Sequence, residues 1–223
     1  MEKKLIITVG RQFGSGGKAV AEELHRRLGI PVYDGEVITE AARKSGIGEE
    51  FFRKRDETRR ALYIGMRSGM DDEVLFGIQS DTIRDIAEKG PAIFVGRASD
   101  YVLRDTDSVD VFISAPLESR IERIMTRQGI SRKDAEALIE RKDRGRADFY
   151  NFFTFGKWGE ASNYDLCIDS SLLGTEGSAA LTTRISANMR RRASQSRTSK
   201  NPPRNVKNSA VRSARRISSS PEP

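Results

Sequence analysis

A β-branched run, a cluster of glycines and an amphipathic pattern follow one another between Leu5 and Leu24, LIITVGRQFGSGGKAVAEEL. Leu5, Ile6, Ile7 and Val9 suit a short buried strand, and Val20, Ala21 and Leu24 recur at helical spacing behind the glycines. Strand, loop and helix in that order restrict the chain to an α/β architecture in which the loop stands at the carboxyl edge of a sheet. Glycines at 14, 16 and 17 let the backbone turn tightly, and the positive end of the following helix points into the same space. Such a turn is built to receive a phosphate.

The phosphate-loop pattern G-x-x-x-x-G-K-S/T fits in neither register. With Gly17 and Lys18 as its Gly-Lys pair, Gln12 stands at the first glycine and Ala19 at the hydroxyl; with Gly16 closing the loop, Gly17 stands at the lysine and Lys18 at the hydroxyl. The alternative is a glycine-rich turn with no ligand. Arg11, Ser15 and Lys18 around the glycines argue against it, and a backbone cradle holds phosphate without a lysine. Arg11, Gly14, Ser15, Gly16, Gly17, Lys18 and Ala19 are therefore the candidate donor-binding residues.

Further along, Gly29 reads as a helix C-cap and Ile30 to Tyr33 as a second strand, so Asp34 stands at a strand's carboxyl end. It is either a site residue, an N-cap for a helix over Glu36 to Lys44, or both. Residues 46–89 read as helical, with an apolar stripe from Val74 to Ala87 and a hinge expected around Gly65, Gly69 and Asp71-Asp72. Pro91 to Val95 is a third strand, ending in Gly96, Arg97 and Asp100. Arg97 is placed either to fork around a phosphate or to pair with Asp100.

Ser108 to Ser114 reads as a fourth strand and Leu117 to Arg127 as its helix, and Ser131 caps another helix that ends near Asp143. Arg141, Arg144 and Arg146 then form the densest cationic stretch before the carboxyl-terminal tail. It reads equally as a lid over transferring phosphates or as an exposed helix end. Tyr164 to Asp169 is a fifth strand, with Cys167 expected to be buried in it, and Ser170 to Met189 a last helix.

The net charge of +7 does not describe the folded part. From Arg190 onward ten Lys/Arg face one Glu, whereas the 29 basic and 31 acidic residues before it nearly cancel. Residues 190–223 are almost free of apolar side chains and are expected to form a disordered basic tail. No aromatic residue interleaves its charges, so nucleic acid is an expected partner through the tail or not at all. The chain has no run of eighteen apolar residues and no leader pattern, which leads to the expectation of a cytoplasmic protein with no membrane partner. One cysteine and one histidine, His25 on a charged helix face, give no metal-ligand pattern. Nothing in the sequence sets an oligomeric state.

With these residues in hand, the chain resembles the cytidylate-kinase-like family of P-loop nucleoside monophosphate kinases. The likeness is carried by GRQFGSGGK at 10–18, GIPVYD at 29–34, VGRASDY at 95–101 and YDLCID at 164–169, and it extends over roughly 4–187. It implies a three-layer P-loop fold on a five-stranded parallel sheet, with one kinase domain over 1–189, a nucleoside-monophosphate lobe near 35–90 and a lid near 130–160. It also implies transfer of a phosphoryl group from ATP, with Mg2+, to CMP or dCMP. Carried over by position, Gly14 to Lys18 hold the donor phosphates and Asp34, Arg97 and Asp100 meet the acceptor. Lys18, Arg97, Arg141, Arg144 and Arg146 act on the migrating group. The position of the catalytic lysine is occupied by Gly17, which leaves that role to Lys18 or Arg11, and Gly35 to Thr39 lack the Ser, Tyr and Arg of cytidylate kinases. A kinase on another acceptor and a nucleotide-binding regulator without turnover are the alternative readings.

Overall fold

The computed structural model describes residues 4–46 and 69–198. Strand β1 (Ile6–Arg11) leads through the glycine loop into α1 (Gly17–Leu28), then β2 (Val32–Tyr33) and α2 (Gly35–Ser45). Helix α3 (Gly69–Lys89), β3 (Ala92–Val95), a single helical turn α4 (Ser99–Val102), β4 (Ser108–Ser114), α5 (Leu117–Gln128) and α6 (Arg132–Thr154) follow. A 3-10 turn (Ala161–Asn163), β5 (Leu166–Asp169) and α7 (Ser170–Thr198) complete the order.

The five strands pair only in parallel, in the order β2-β3-β1-β4-β5. Ile6 to Val9 and all four residues of β3 are buried, so both faces of the central strands are covered by helices. On one face Ile6 and Phe94 pack with Ile38, Ile83, Ala87 and Leu103, which closes α2 and α3 over the sheet. Tyr33 stacks on Phe94 with ring centroids 5.6 Å apart. Each such side chain, fully buried, contributes on the order of 2 kcal/mol. A second cluster of Ile121, Ile124, Ala135 and Ile139 joins α5 to α6, and Phe13 from the glycine loop is packed against it.

Helix α1 starts and stops at glycines. Gly16 (φ 84°) is its N-cap and Gly29 (φ 66°) its C-cap, conformations that an L side chain adopts only with strain. Because β1 sits at the centre of the sheet and outlasts β3 by Gly10 and Arg11, the loop opens at the carboxyl edge beyond the end of β3 and beside the end of β4.

Several expectations are corrected here. The helix expected to stop near Asp143 continues unbroken from Arg132 to Thr154, since packing of Tyr150 and the α5 contacts outweigh the cost of one Gly145. No hinge forms at Gly69 or Asp71-Asp72, which lie within α3, whereas Gly65 lies outside the described residues. Cys167 is exposed: β5 is an edge strand, and the two-residue alternation that buries Ile168 turns Cys167 outward. The last helix is interrupted at Gly174 and continues past Met189 to Thr198, so the start of the basic tail is helical and its remainder lies outside the described residues. The chain divides between Ser186 and Ala187, inside α7, and the whole sheet belongs to the first part.

Candidate active site

The glycine loop is pinned from outside. Gln12 N–H donates to Ile113 O at 3.0 Å, and Gln12 Oε1 accepts the N–H of Ala115 at 3.1 Å. Arg120 donates to the carbonyl of Phe13, Arg123 to that of Gly14 and the Ser170 hydroxyl to that of Ser15. Three successive carbonyls are thus drawn away from the cradle. Gly14 (φ 81°) and Gly16 (φ 84°) supply the left-handed turns between them. No side chain caps α1, so the N–H groups of its first turn suit an anion.

The candidate donor-binding residues divide into groups. The Ser15 side chain is fully buried and braces the turn, donating to Gln12 O and Ile113 O at 2.9 and 3.0 Å. Ala19 lies in the first turn of α1 and brings no hydroxyl for a metal. Lys18 reaches along the surface to Asp34, Nζ to Oδ2 at 3.0 Å, with 66% of its side chain exposed. That bond raises the Lys18 ammonium above its ordinary value.

Asp34 caps α2 and also lines the cleft. Its Oδ1 accepts the N–H groups of Glu36 and Val37, each at 3.1 Å, capping α2, while Oδ2 takes Lys18 at the cleft. Burial works against ionisation, but the Val37 N–H and Lys18 outweigh it and hold the carboxyl below the usual carboxylate range.

At the end of β3 three consecutive residues, Gly96, Arg97 and Ala98, are left-handed, with φ of 73°, 59° and 50°. For Arg97 and Ala98 this costs roughly 1–2 kcal/mol each, and strain of this kind gathers where a side chain must be aimed. The aimed group is the Arg97 guanidinium, which lies over the Phe149 ring at 5.3 Å and against Gly35, where a Cβ would stand 2.6 Å from Arg97 Nε. Asp100 accepts a hydrogen bond from the Tyr150 hydroxyl at 2.7 Å, and burial together with that carboxylate pushes the Tyr150 hydroxyl upward.

Arg11 leaves the end of β1 and crosses the floor of the cleft. A Cβ at Gly17 would stand 2.5 Å from Arg11 Cβ, and one at Gly96 would stand 1.8 Å from Arg11 Nη1. Its backbone carbonyl receives Arg146 Nη1 at 2.9 Å. Burial, then the charges of Arg146 and Arg97, lower the Arg11 guanidinium to about 9, with Asp34 opposing; Arg146 is lowered by burial as well. Both are still cations at neutral pH.

Together Arg11, Lys18, Asp34, Arg97, Asp100, Arg141 and Arg146 line one cleft of about 720 Å³, closed on its α6 side by Phe149 and Tyr150 and by Trp158 and Tyr164. Arg144 is not brought to it. On the α6 helix the cleft-facing positions are 141, 142, 145, 146 and 149, whereas Arg144 falls on the opposite side and pairs with exposed Glu140. Among the described residues no group of three His, Cys, Asp or Glu could hold a metal ion. The loop braces Arg120, Arg123 and Asp143 were not foreseen; an apolar Phe13 inside a glycine-rich turn is the one local sign that something packs there.

The model of the cytidylate kinase-like family matches residues 6–172, which includes every cleft residue named above. The chain belongs to the cytidylate kinase-like family. A cytidylate kinase of Pyrococcus horikoshii is 28% identical over 180 residues, spanning 80% of this chain and 86% of that protein. A solved structure of an uncharacterized protein from Eubacterium ventriosum superimposes with a TM-score of 0.63 at 28% identity, covering 83% of this chain and 98% of its own. A gluconokinase from Sinorhizobium meliloti, at 17% identity, covers 86% of this chain and 99% of its own with a TM-score of 0.51. At that identity the likeness shows the fold alone, which is the α/β P-loop fold. Among the described residues no helix is long and apolar enough to cross a membrane.

Proposed function

We propose that this member of the cytidylate kinase-like family transfers the terminal phosphoryl group of ATP to a nucleoside monophosphate, CMP or dCMP being the first acceptors to test. The observation that carries the reading is an arrangement of charge: Lys18 from the first turn of α1, Arg97 at the end of β3, and Arg11 and Arg146 line one cleft, next to the glycine loop that opens α1. An oxygen of the acceptor phosphate forms a bond to the terminal phosphorus of ATP, the bond to the bridging oxygen breaks, and ADP leaves with that electron pair. A phosphate dianion has no proton to lose, so the protein needs no general base; it supplies position and positive charge.

In this reading Gly14 to Gly17 and the first turn of α1 receive the donor phosphates, Arg97 grips the acceptor phosphate, and Arg141 and Arg146 offset the charge in transit. Asp34 holds Lys18 at the rim, and the Tyr150 bond fixes Asp100 beside the acceptor. The described residues offer Mg2+ no carboxylate cluster and no hydroxyl at the start of α1, so no step is assigned to it; it would arrive on the nucleotide's own phosphates with its water. A cytoplasmic setting is part of the reading.

A second acceptor class is favoured by one observation. Glu36 lines the cleft at the start of α2, where its carboxylate suits an acceptor hydroxyl or amino group rather than a second phosphate. ADP release from MgATP with CMP, dCMP, UMP, AMP or no acceptor, beside Arg97→Ala, separates the cases. Turnover with CMP that collapses in Arg97→Ala supports the first reading. Turnover with none of them overturns it.

A further inference from the structure

The position that phosphate-loop kinases give to a lysine is held here by Gly17, and Lys18 is engaged with Asp34 at the surface. Phosphate loops use that lysine because a bare backbone cradle does not follow charge onto the transferred group, and a mobile cation does. We infer that Arg11 supplies this cation from the end of β1, and that Gly17 is glycine because the Arg11 side chain occupies the space a side chain at 17 would need. The inference deepens the kinase reading and rests on it only for the identity of the donor.

The geometry excludes a lysine at 17 while any side chain stands at 11. The two Cβ positions would be 2.5 Å apart, and both are fixed by backbone, so no change of rotamer relieves the collision. Gly17 is not left-handed, and space is its only visible reason for being glycine. At the far end the guanidinium lies over Gly96, next to Arg97, with Nη1 inside the volume of any Cβ there. Two glycines from different elements thus make a channel for one side chain.

Its root is held as well. Arg11 is paired in the sheet with Ile113, and its carbonyl is bound by Arg146. A guanidinium on this path begins beside the donor cradle and ends beside Arg97, so it stands between the two phosphate positions where a lysine at 17 would reach from one side only. The surrounding charge points the same way. Arg11, Arg97 and Arg146 line the cleft together, and both oxygens of Asp34 are already bonded to Lys18 and the α2 terminus. A bound polyphosphate adds counter-charge beside Arg11, whose guanidinium feels the positive charges of Arg146 and Arg97.

The test is a cycle of Arg11→Gly, Gly17→Lys and the double variant, with Arg11→Ala measured beside it, ATP and ADP dissociation constants taken from calorimetry and thermal unfolding run in parallel. Wild type binds ATP more tightly than ADP. Arg11→Ala weakens ATP roughly tenfold or more, the range for a charge-assisted bond, and weakens ADP less. Gly17→Lys alone is also weak, since its Cβ collides with that of Arg11, but in the Arg11→Gly/Gly17→Lys double variant, where residue 11 has no Cβ, the lysine enters the vacated space and ATP affinity returns to within a few-fold of wild type. Should Gly17→Lys fail to fold, Arg11→Lys against Arg11→Ala replaces it, with lysine expected to keep most of the preference for ATP.

The inference is overturned if Arg11→Ala keeps wild-type affinity for ATP, or if the double variant is as weak as the two single effects combined. ATP binding that depends on Arg11 without turnover of any acceptor sinks the kinase reading and upholds this one. Absence of ATP binding in wild type sinks both.

Discussion

Arg120 on α5 and Asp143 on α6 form an ion pair, Nη1 to Oδ2 at 2.5 Å, with side chains only 10% and 17% exposed. The pair clamps the glycine loop from both sides of one residue: Asp143 Oδ1 accepts Phe13 N–H at 2.6 Å and Arg120 donates to Phe13 O. Asp143→Ala leaves a buried guanidinium, whose Nε already has no hydrogen-bond partner, without its counter-charge. The expected cost is on the order of 3 kcal/mol, seen as a lower Tm, together with weaker ATP binding as the loop loosens. Glu140→Gln, which removes an exposed partner of Arg144, is the control and is expected to move Tm by less than about a degree. Equal effects from the two variants would refute the clamp.

Gly35→Ala separates stability from acceptor binding. Residue 35 opens α2, where alanine is the better helix former by roughly 1 kcal/mol, so Tm is expected to hold or rise. The new Cβ would stand 2.6 Å from Arg97 Nε, and since that is the flexible part of a long side chain, Arg97 swings rather than the helix. The expected result is a raised acceptor KM with little change in ATP affinity. An unchanged KM would remove Arg97 from the acceptor site.

The local part of this design is legible in sequence and the long-range part is not. The strand, glycine loop and α1 announce themselves because each depends on near neighbours: β-branched residues, left-handed glycines, and apolar spacing at 20, 21 and 24. Arg97 can be read from its place just after β3. The path of Arg11 cannot, because it depends on Gly96 at the end of another strand. Asp143 reads as one more charge in a basic stretch until the fold sets it against Phe13. Arg144 and Arg146 look alike in sequence; only the unbroken α6 helix, which Gly145 argues against locally, puts them on different sides.

That difference gives a direct comparison. Arg146 is half-buried and bonded to the Arg11 carbonyl, so Arg146→Ala is expected to lower kcat/KM by about a hundredfold, the scale of losing one electrostatic contact to a transferring group. Arg144→Ala, on the exposed side, is expected to stay within about twofold, the small scale of an exposed pair. Steady-state kinetics on the two purified variants decide it, and similar losses would show that this part of α6 rearranges around substrate.

Asp110 provides a pH signature of the fold itself. It lies buried in β4, beside the central strand β1, accepting from the hydroxyls of Thr8 and Ser108 at 2.8 Å each. Burial, with the charges of Asp165 and Asp100, pushes its carboxyl up to about 6 against the hydroxyl bonds, from an ordinary value of 3.8. Between those two values the folded protein holds a proton that the unfolded chain has released. This contribution therefore favours the folded state as pH falls from about 6 toward 4 and is lost as pH rises through 6. Asp110→Asn keeps an oxygen for both hydroxyls and removes the charge. It is expected to be more stable than wild type at pH 7.5 by about 2 kcal/mol, with the gap closing between pH 6 and 4. Urea unfolding of both proteins across that range measures the gap, and taking the difference cancels the other titrating groups. A gap that does not change with pH would mean that Asp110 carries no raised proton affinity in the folded state.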